Sequence, residues 1–271
     1  MKKIIAVLLA AGFVLGGFAQ QKQAKKKLFT GMYIQWGYNA ETYTKSTIHF
    51  KMSNGNNFTL HKVVAHDKGD FDAIYKEPGD ISIPQYNYRF GFYLNKKHTK
   101  ALELNFDHAK YVVTDGQKAR VTGTIDGIAV NGDSILNPGS FLHFEHTDGA
   151  NWLHFNYVQQ QTFLYTASGA RPLLTSVWKI GAGINIPRTD FTWRGDKYNN
   201  DFHIAGYNVS AEAGARLYMA RKFFFELTGK TGYVKYINAL VCTNAQKGNR
   251  ATHSFGFLEA IATLGFDINF K

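Results

Sequence analysis

In the stretch AGYNVSAEAGARLYM, Tyr207, Val209, Ala211, Ala213, Ala215 and Leu217 alternate with Asn208, Ser210, Glu212, Gly214 and Arg216. A period of two sends successive side chains to opposite faces of a β-strand. The run exceeds the about five or six residues usual in globular strands. It meets the about 9–11 tilted residues with which a strand crosses a bilayer. The same alternation returns in MYIQWGYN (Met32, Ile34, Trp36 and Tyr38 against Tyr33, Gln35, Gly37 and Asn39). It returns again in PQYNYRFGFYLN, ALELNFDH and SVWKIGAGINIP, and in the terminal TLGFDINFK.

No segment after the N-terminus reaches the about 20 apolar residues of a membrane helix. A chain with 22 Phe, 15 Tyr, 26 Gly and only 5 Pro suits strands and turns better than helices. Twelve strands are predicted, at 30–39, 46–52, 57–66, 83–94, 99–113, 118–125, 140–147, 151–165, 174–187, 202–219, 222–240 and 252–270. SNGNN (53–57), NKKHT (95–99), TDGQ (114–117) and TDGA (147–150) supply the Gly, Asn and Asp of tight turns. Longer polar loops are expected at about 67–82, 126–139, 188–201 and 241–251.

The polar faces carry Gly, Asn, Gln and isolated charges of both signs, rather than the Lys, Glu, Thr and Ser of a water-facing sheet. A wall with lipid on its apolar side and a crowded interior on the other accounts for this. Such a wall must close, since an open edge in hydrocarbon leaves backbone groups unpaired. The expected fold is therefore all-β: a closed antiparallel transmembrane β-barrel of about twelve strands, with ten as the alternative. A final strand running to the last residues fits, because it pairs with the first. The soluble alternative is an exported β-sandwich.

The N-terminus has the layout of a cleaved export signal at 1–19: Lys2 and Lys3, then apolar Ile4 to Leu15, then small residues at Gly17 and Ala19. A basic periplasmic tail (20–28) and one barrel domain (29–271) are expected to follow. The net charge is +11, but six lysines lie in the signal and tail. With no recognition helix or arginine stripe, nucleic acid is not an expected partner. Cys242 stands alone and forms no internal disulfide.

The export signal ending GFAQQ, the repeated amphipathic strands and the terminal LGFDINFK together resemble Gram-negative outer-membrane β-barrel proteins of Bacteroidota type. The resemblance covers about residues 28–271 and implies outer-membrane localisation. It implies contact with outer-membrane lipids and lipopolysaccharide, and insertion by the outer-membrane assembly machinery. That machinery would read Phe266, Ile268 and Phe270, although Lys271 follows the last aromatic. The resemblance says little about activity; the expected role is non-enzymatic, structural or in limited solute passage.

Chemistry is sought on the polar faces. Arg89, Glu103, Asp107, Lys179, Glu212 and Arg216, joined by Glu226 and Lys230, form an expected lumen network in which both signs can pair. In FLHFEHTDGANWLHFNY (141–157) a hairpin at Thr147–Asn151 would gather His143, Glu145, His154 and Asn156 on one inward face, with Leu142 and Phe144 on lipid. This set is expected to be mainly structural. His143, Glu145, His154 and His146 are the weak catalytic candidates. HTDGAN faintly resembles the histidine segment of lipid A 3-O-deacylase barrels, which makes a lipid-modifying enzyme the alternative, but no serine stands two residues after His146. No cofactor and no metal site is expected.

Overall fold

The computed structural model describes residues 28–72, 76, 85–241 and 248–270. The expected export signal, nearly all of the basic tail, Cys242 and Lys271 lie outside them. In chain order, β1 (Gly31–Tyr43) is followed by β2 (Ser46–Lys51), β3 (Asn57–Val63), β4 (Ala65–His66), β5 (Tyr86–Tyr93) and β6 (Lys100–Asp107). Next come β7 (Tyr111–Val113), β8 (Lys118–Ile125), β9 (Ile128–Ile135), β10 (Leu142–His146), β11 (Trp152–Tyr165) and β12 (Pro172–Asn185). The remainder are β13 (Asp190–Trp193), β14 (Asp196–Asn199), β15 (Gly206–Tyr218), β16 (Phe223–Leu240) and β17 (Arg250–Asn269).

Eight strands, in the order β1-β5-β6-β11-β12-β15-β16-β17, make an antiparallel ring. It closes where β1 meets β17, from Gly31 opposite Asn269 to Tyr43 opposite Phe257. The ring is inverted relative to a soluble core. Arg89, Glu103, Asp107, Arg216 and Lys230 are at most 1 % exposed inside it, while Phe155, Trp178, Ile180, Leu258 and Leu264 are more than half exposed outside. Buried charge together with a continuous exposed apolar belt is the signature of a wall that faces lipid. Both ends of the barrel chain and the short turns 94–99, 166–171 and 219–222 lie at one end; the long excursions leave from the other.

The larger sheet has twelve strands, the number the alternation suggests, and only eight of them close. The other four, β2, β3, β8 and β9, extend it from the upper end of β17, where Arg250, Ala251 and Thr252 pair with Lys51, Phe50 and His49. A second sheet, β14-β13-β10-β7-β4, faces this extension. Between them lies an apolar core. Phe50 stacks on Phe58 (5.0 Å) and meets Phe144 (5.5 Å) and Phe191 (5.6 Å), and Phe58 meets Trp193 (5.5 Å). The long connections thus build a two-sheet head on the barrel. The alternation of β2, β3 and β8 buries its apolar face against another sheet rather than in lipid. At six and seven residues, β2 and β3 fall short of the about 9–11 needed to span.

Three local expectations are corrected. The segment 99–113 is two strands, β6 in the barrel and β7 in the head. The loops expected at 126–139 and 188–201 contain β9, β13 and β14. The hairpin expected across 147–151 does not form: β10 pairs with β13 and β7, and β11 pairs with β6 and β12. Leu142 and Phe144 therefore pack in the head core instead of facing lipid.

Candidate functional site

The barrel interior is the densest concentration of charge in the described residues. Arg89 Nη1 on β5 donates to Glu212 Oε1 on β15 at 2.6 Å. Those strands stand four places apart in an eight-membered ring, so this bond crosses the full diameter. Lys230 on β16 reaches Asp107 on β6, a second diametric pair. Lys179 Nζ on β12 lies among three carboxylates: Glu226 (2.9 Å), Glu212 (3.1 Å) and Glu103 (3.3 Å). Arg216 Nε donates to Glu226 Oε2 at 2.8 Å, and Gln35 Nε2 reaches the same oxygen at 3.0 Å. Tyr33 Oη donates to Glu103 at 2.6 Å and Asn156 Nδ2 donates to it at 3.0 Å.

All six expected lumen residues, with Glu226 and Lys230, stand in this network. Period-two alternation turns each of them inward, and eight strands bring opposite walls within reach of side chains. At this density the lumen is filled by its own ion pairs. Each carboxylate that touches several donors compensates the loss of water that burial imposes.

The four histidine and glutamate candidates separate into three places. His154 does face the lumen, where Lys230 Nζ donates to its Nε2 at 3.1 Å and Ser210 Oγ lies 3.5 Å from its Nδ1. His146 lies at the junction of head and barrel. It shares a 3.1 Å hydrogen bond between its Nε2 and that of His253, and its Nδ1 meets Thr189 Oγ1 at 3.0 Å. Ser46 Oγ is 3.4 Å from the other His253 nitrogen. Burial pushes the His146 imidazole down to about 3, so it is neutral. This Ser46–His253–His146–Thr189 chain is a row of hydroxyls and histidines with all four members at most 1 % exposed, and no lipid can reach the serine. His253 was invisible to sequence reasoning because its neighbours across the fold come from β2, β10 and the approach to β13.

His143 and Glu145 sit together on the head, away from His154. His143 Nδ1 is 2.8 Å from Asp115 Oδ1 and its Nε2 is 3.1 Å from Glu145 Oε2. Thr147 Oγ1 donates to Glu145 Oε1 at 2.5 Å, and Lys68 Nζ is 3.6 Å away. Hydrogen bonding to Glu145 raises His143 above its ordinary value, against burial and with help from Asp115. Burial works against the Glu145 carboxylate, yet bonds from His143 and Thr147 and the Lys68 charge hold it at about 2. The signs follow from linkage. The raised histidine stabilises the head below about 6.5 and loses that contribution as pH rises through its folded value. The depressed carboxylate stabilises it above about 4.5 and loses that contribution as pH falls towards 2. The pair therefore contributes most between these limits. Asp115→Asn is expected to lower the His143 titration midpoint followed by NMR; an unchanged midpoint would mean that Asp115 does not hold the ring.

Among the described residues no group of three or more His, Cys, Asp or Glu side chains could hold a metal. Of the expected assembly residues, Phe266 and Ile268 lie on the outward phase of β17, opposite Ile34 and Met32 of β1, and Phe270 follows that strand with 41 % exposure. The tryptophans divide: Trp36 and Trp178 are on the outer wall, Trp193 is in the head core, and Trp152 is buried with its Nε1 donating to Tyr236 Oη at 3.1 Å.

No family model matches the chain, and no curated protein matches it. Similar solved structures include two outer-membrane proteins and the attachment invasion locus protein Ail. OprG from Pseudomonas aeruginosa is 11% identical over 89% of this chain and 98% of its own, with a TM-score of 0.40. The outer membrane protease OmpT from Escherichia coli is 8% identical over 92% and 100%, with a TM-score of 0.39. Ail of Yersinia pestis is 10% identical over 88% and 99%, with a TM-score of 0.34.

Proposed function

We propose that this is an integral outer-membrane protein in which a closed, charge-filled barrel anchors a β-sandwich head at the cell surface. Function resides in that head, as a surface for binding, and not in solute passage or bond-breaking chemistry. The observation that carries the reading is the pair of diametric contacts, Arg89 to Glu212 and Lys230 to Asp107, which run across the lumen from wall to wall. The continuous apolar core that seats the head on the upper rim supports it. The short turns at the opposite end then face the periplasm, with delivery by the export signal and insertion by the assembly machinery that reads the final strand. Lipopolysaccharide would surround the upper rim.

Two measurements test this together. Reconstituted in planar bilayers, the protein is expected to give no steady conductance. On intact cells lacking native Cys242, a hydrophilic maleimide is expected to modify an Arg120→Cys variant on the outer face of β8 and to leave Trp178→Cys on the lipid-facing wall untouched. Sustained channels would overturn the filled lumen, and labelling of position 178 without position 120 would overturn the orientation.

A further inference from the structure

We propose that the periplasmic mouth of the barrel is a binding site for an anionic phospholipid of the inner leaflet, with the phosphate held inside the rim and an acyl chain laid along the wall outside. This rests on the membrane-spanning reading and goes beyond it by naming a ligand.

The mouth encloses a cavity of about 500 Å³. Lys96 and Lys97 from one turn, Arg171 from the second, and Arg221 and Lys222 from the third line it. The carboxylate on its lining, Asp267, is already occupied: Tyr93 Oη donates to one oxygen at 2.7 Å and Tyr218 Oη to the other at 3.1 Å. Asp267 therefore points its charge at tyrosines rather than at the rim cations. Deeper in, Gln160 lines the cavity at 4 % exposure, and its amide nitrogen has no hydrogen-bond partner. A buried donor left unpaired costs free energy that a ligand oxygen would recover. Two guanidinium forks, the ammonium groups of Lys96 and Lys97 and a free amide donor form a set that matches the several oxygens of a phosphate, with Lys222 at its edge.

A free phosphate would satisfy those donors alone. The wall directly outside adds what a lipid needs. A second hollow, of about 510 Å³, runs along the outer face and is lined by Ile34, Trp36, Met219, Phe223, Leu264 and Phe266. Met219 and Phe223 bracket the turn that carries Arg221 and Lys222, so the charged cavity and the apolar groove share one turn. Lys222 joins them: it is one of the residues lining the cavity, and its Nζ lies 5.5 Å from the centre of the Phe266 ring in the groove. The groove lies at the level where inner-leaflet acyl chains meet their headgroups.

The test uses the full chain in nanodiscs of phosphatidylcholine doped with phosphatidylglycerol, followed by native mass spectrometry of the lipids that stay bound. Carbonate-resistant insertion, checked first, separates failure of this site from failure of the membrane reading. Retention of phosphatidylglycerol over phosphatidylcholine is expected, and Arg221→Gln with Lys222→Gln should weaken it about thirtyfold, the effect of two surface cations. Leu264→Ser should weaken lipid retention while leaving any binding of glycerol phosphate unchanged. Equal retention of the two lipids, or indifference to the paired charge substitutions, overturns the site. Displacement of the lipid by glycerol phosphate at matching concentration assigns the mouth to a free phosphate ester and overturns the lipid.

Discussion

Lys179→Met is expected to destabilise the folded barrel by about 3–5 kcal/mol, the usual effect of removing one partner from a buried ion pair. The Lys179 ammonium is 1 % exposed and has Glu103, Glu212 and Glu226 within 3.3 Å. Methionine fills much the same volume, so packing is conserved and the loss is electrostatic. Three carboxylates are then left with less compensating charge in a space that water cannot enter freely. Adding Glu103→Gln should recover a large part of the loss, since the amide oxygen can still accept from Asn156 while its NH2 donates to the Tyr33 hydroxyl, without the negative charge. Denaturant titration of the refolded protein in vesicles, read by the heat-dependent gel shift of folded barrels, measures both. A single variant as stable as the parent would mean that the lumen charges are solvated and that the barrel is not filled.

The same arrangement explains how much of the site was legible beforehand. Alternation assigns a side chain to a face, and with Arg89, Glu103, Asp107, Lys179, Glu212 and Arg216 that was enough to pick out the lumen. What alternation does not contain is which strands lie opposite. Arg89 finds Glu212 across 123 residues of chain because β5 and β15 fall on opposite sides of an eight-membered ring. A ring of twelve would have kept them apart. The Ser46–His253–His146–Thr189 chain was hidden for a related reason: it is assembled from four segments that meet only when head and barrel dock.

The fold itself was legible where the strands are long. β11, β12, β15, β16 and β17 run 13 to 20 residues and admit no other reading than spanning strands. In the shorter segments the binary pattern is ambiguous, since Phe50 and Phe58 look the same whether their faces meet lipid or a second sheet. The tell was on the other face. Lys51, Lys118 and Arg120 are exposed, whereas the polar faces of the spanning strands are buried. β9 was missed because most of its residues are exposed on both faces, which removes alternation altogether. The expected 147–151 hairpin failed because sequence adjacency suggested a partner for β10 that the head supplied from β13.

Phe50→Ala is expected to unfold the head while leaving the barrel closed. The ring is fully buried and packed on Phe58, Phe144 and Phe191, two of them from the opposing sheet, so its removal should cost the head about 3–5 kcal/mol. The head has little to offset that loss. Its larger sheet hangs from β17 by three residue pairs, from Arg250–Lys51 to Thr252–His49. The barrel is built differently. β1 and β17 are in register over their shared length, the lumen network lies below the head, and a separate apolar cluster at the end away from the head contains Tyr33, Tyr93, Tyr218 and Phe224. Unequal local stability of this kind lets one unit open without the other. Limited trypsin digestion should therefore cut the variant at head lysines and arginines while the membrane-embedded fragments keep their heat-dependent gel shift. If the gel shift disappears with the head, the two are one cooperative unit. The sandwich would then be a plug that the barrel needs in order to stay folded, and no longer an independent binding surface.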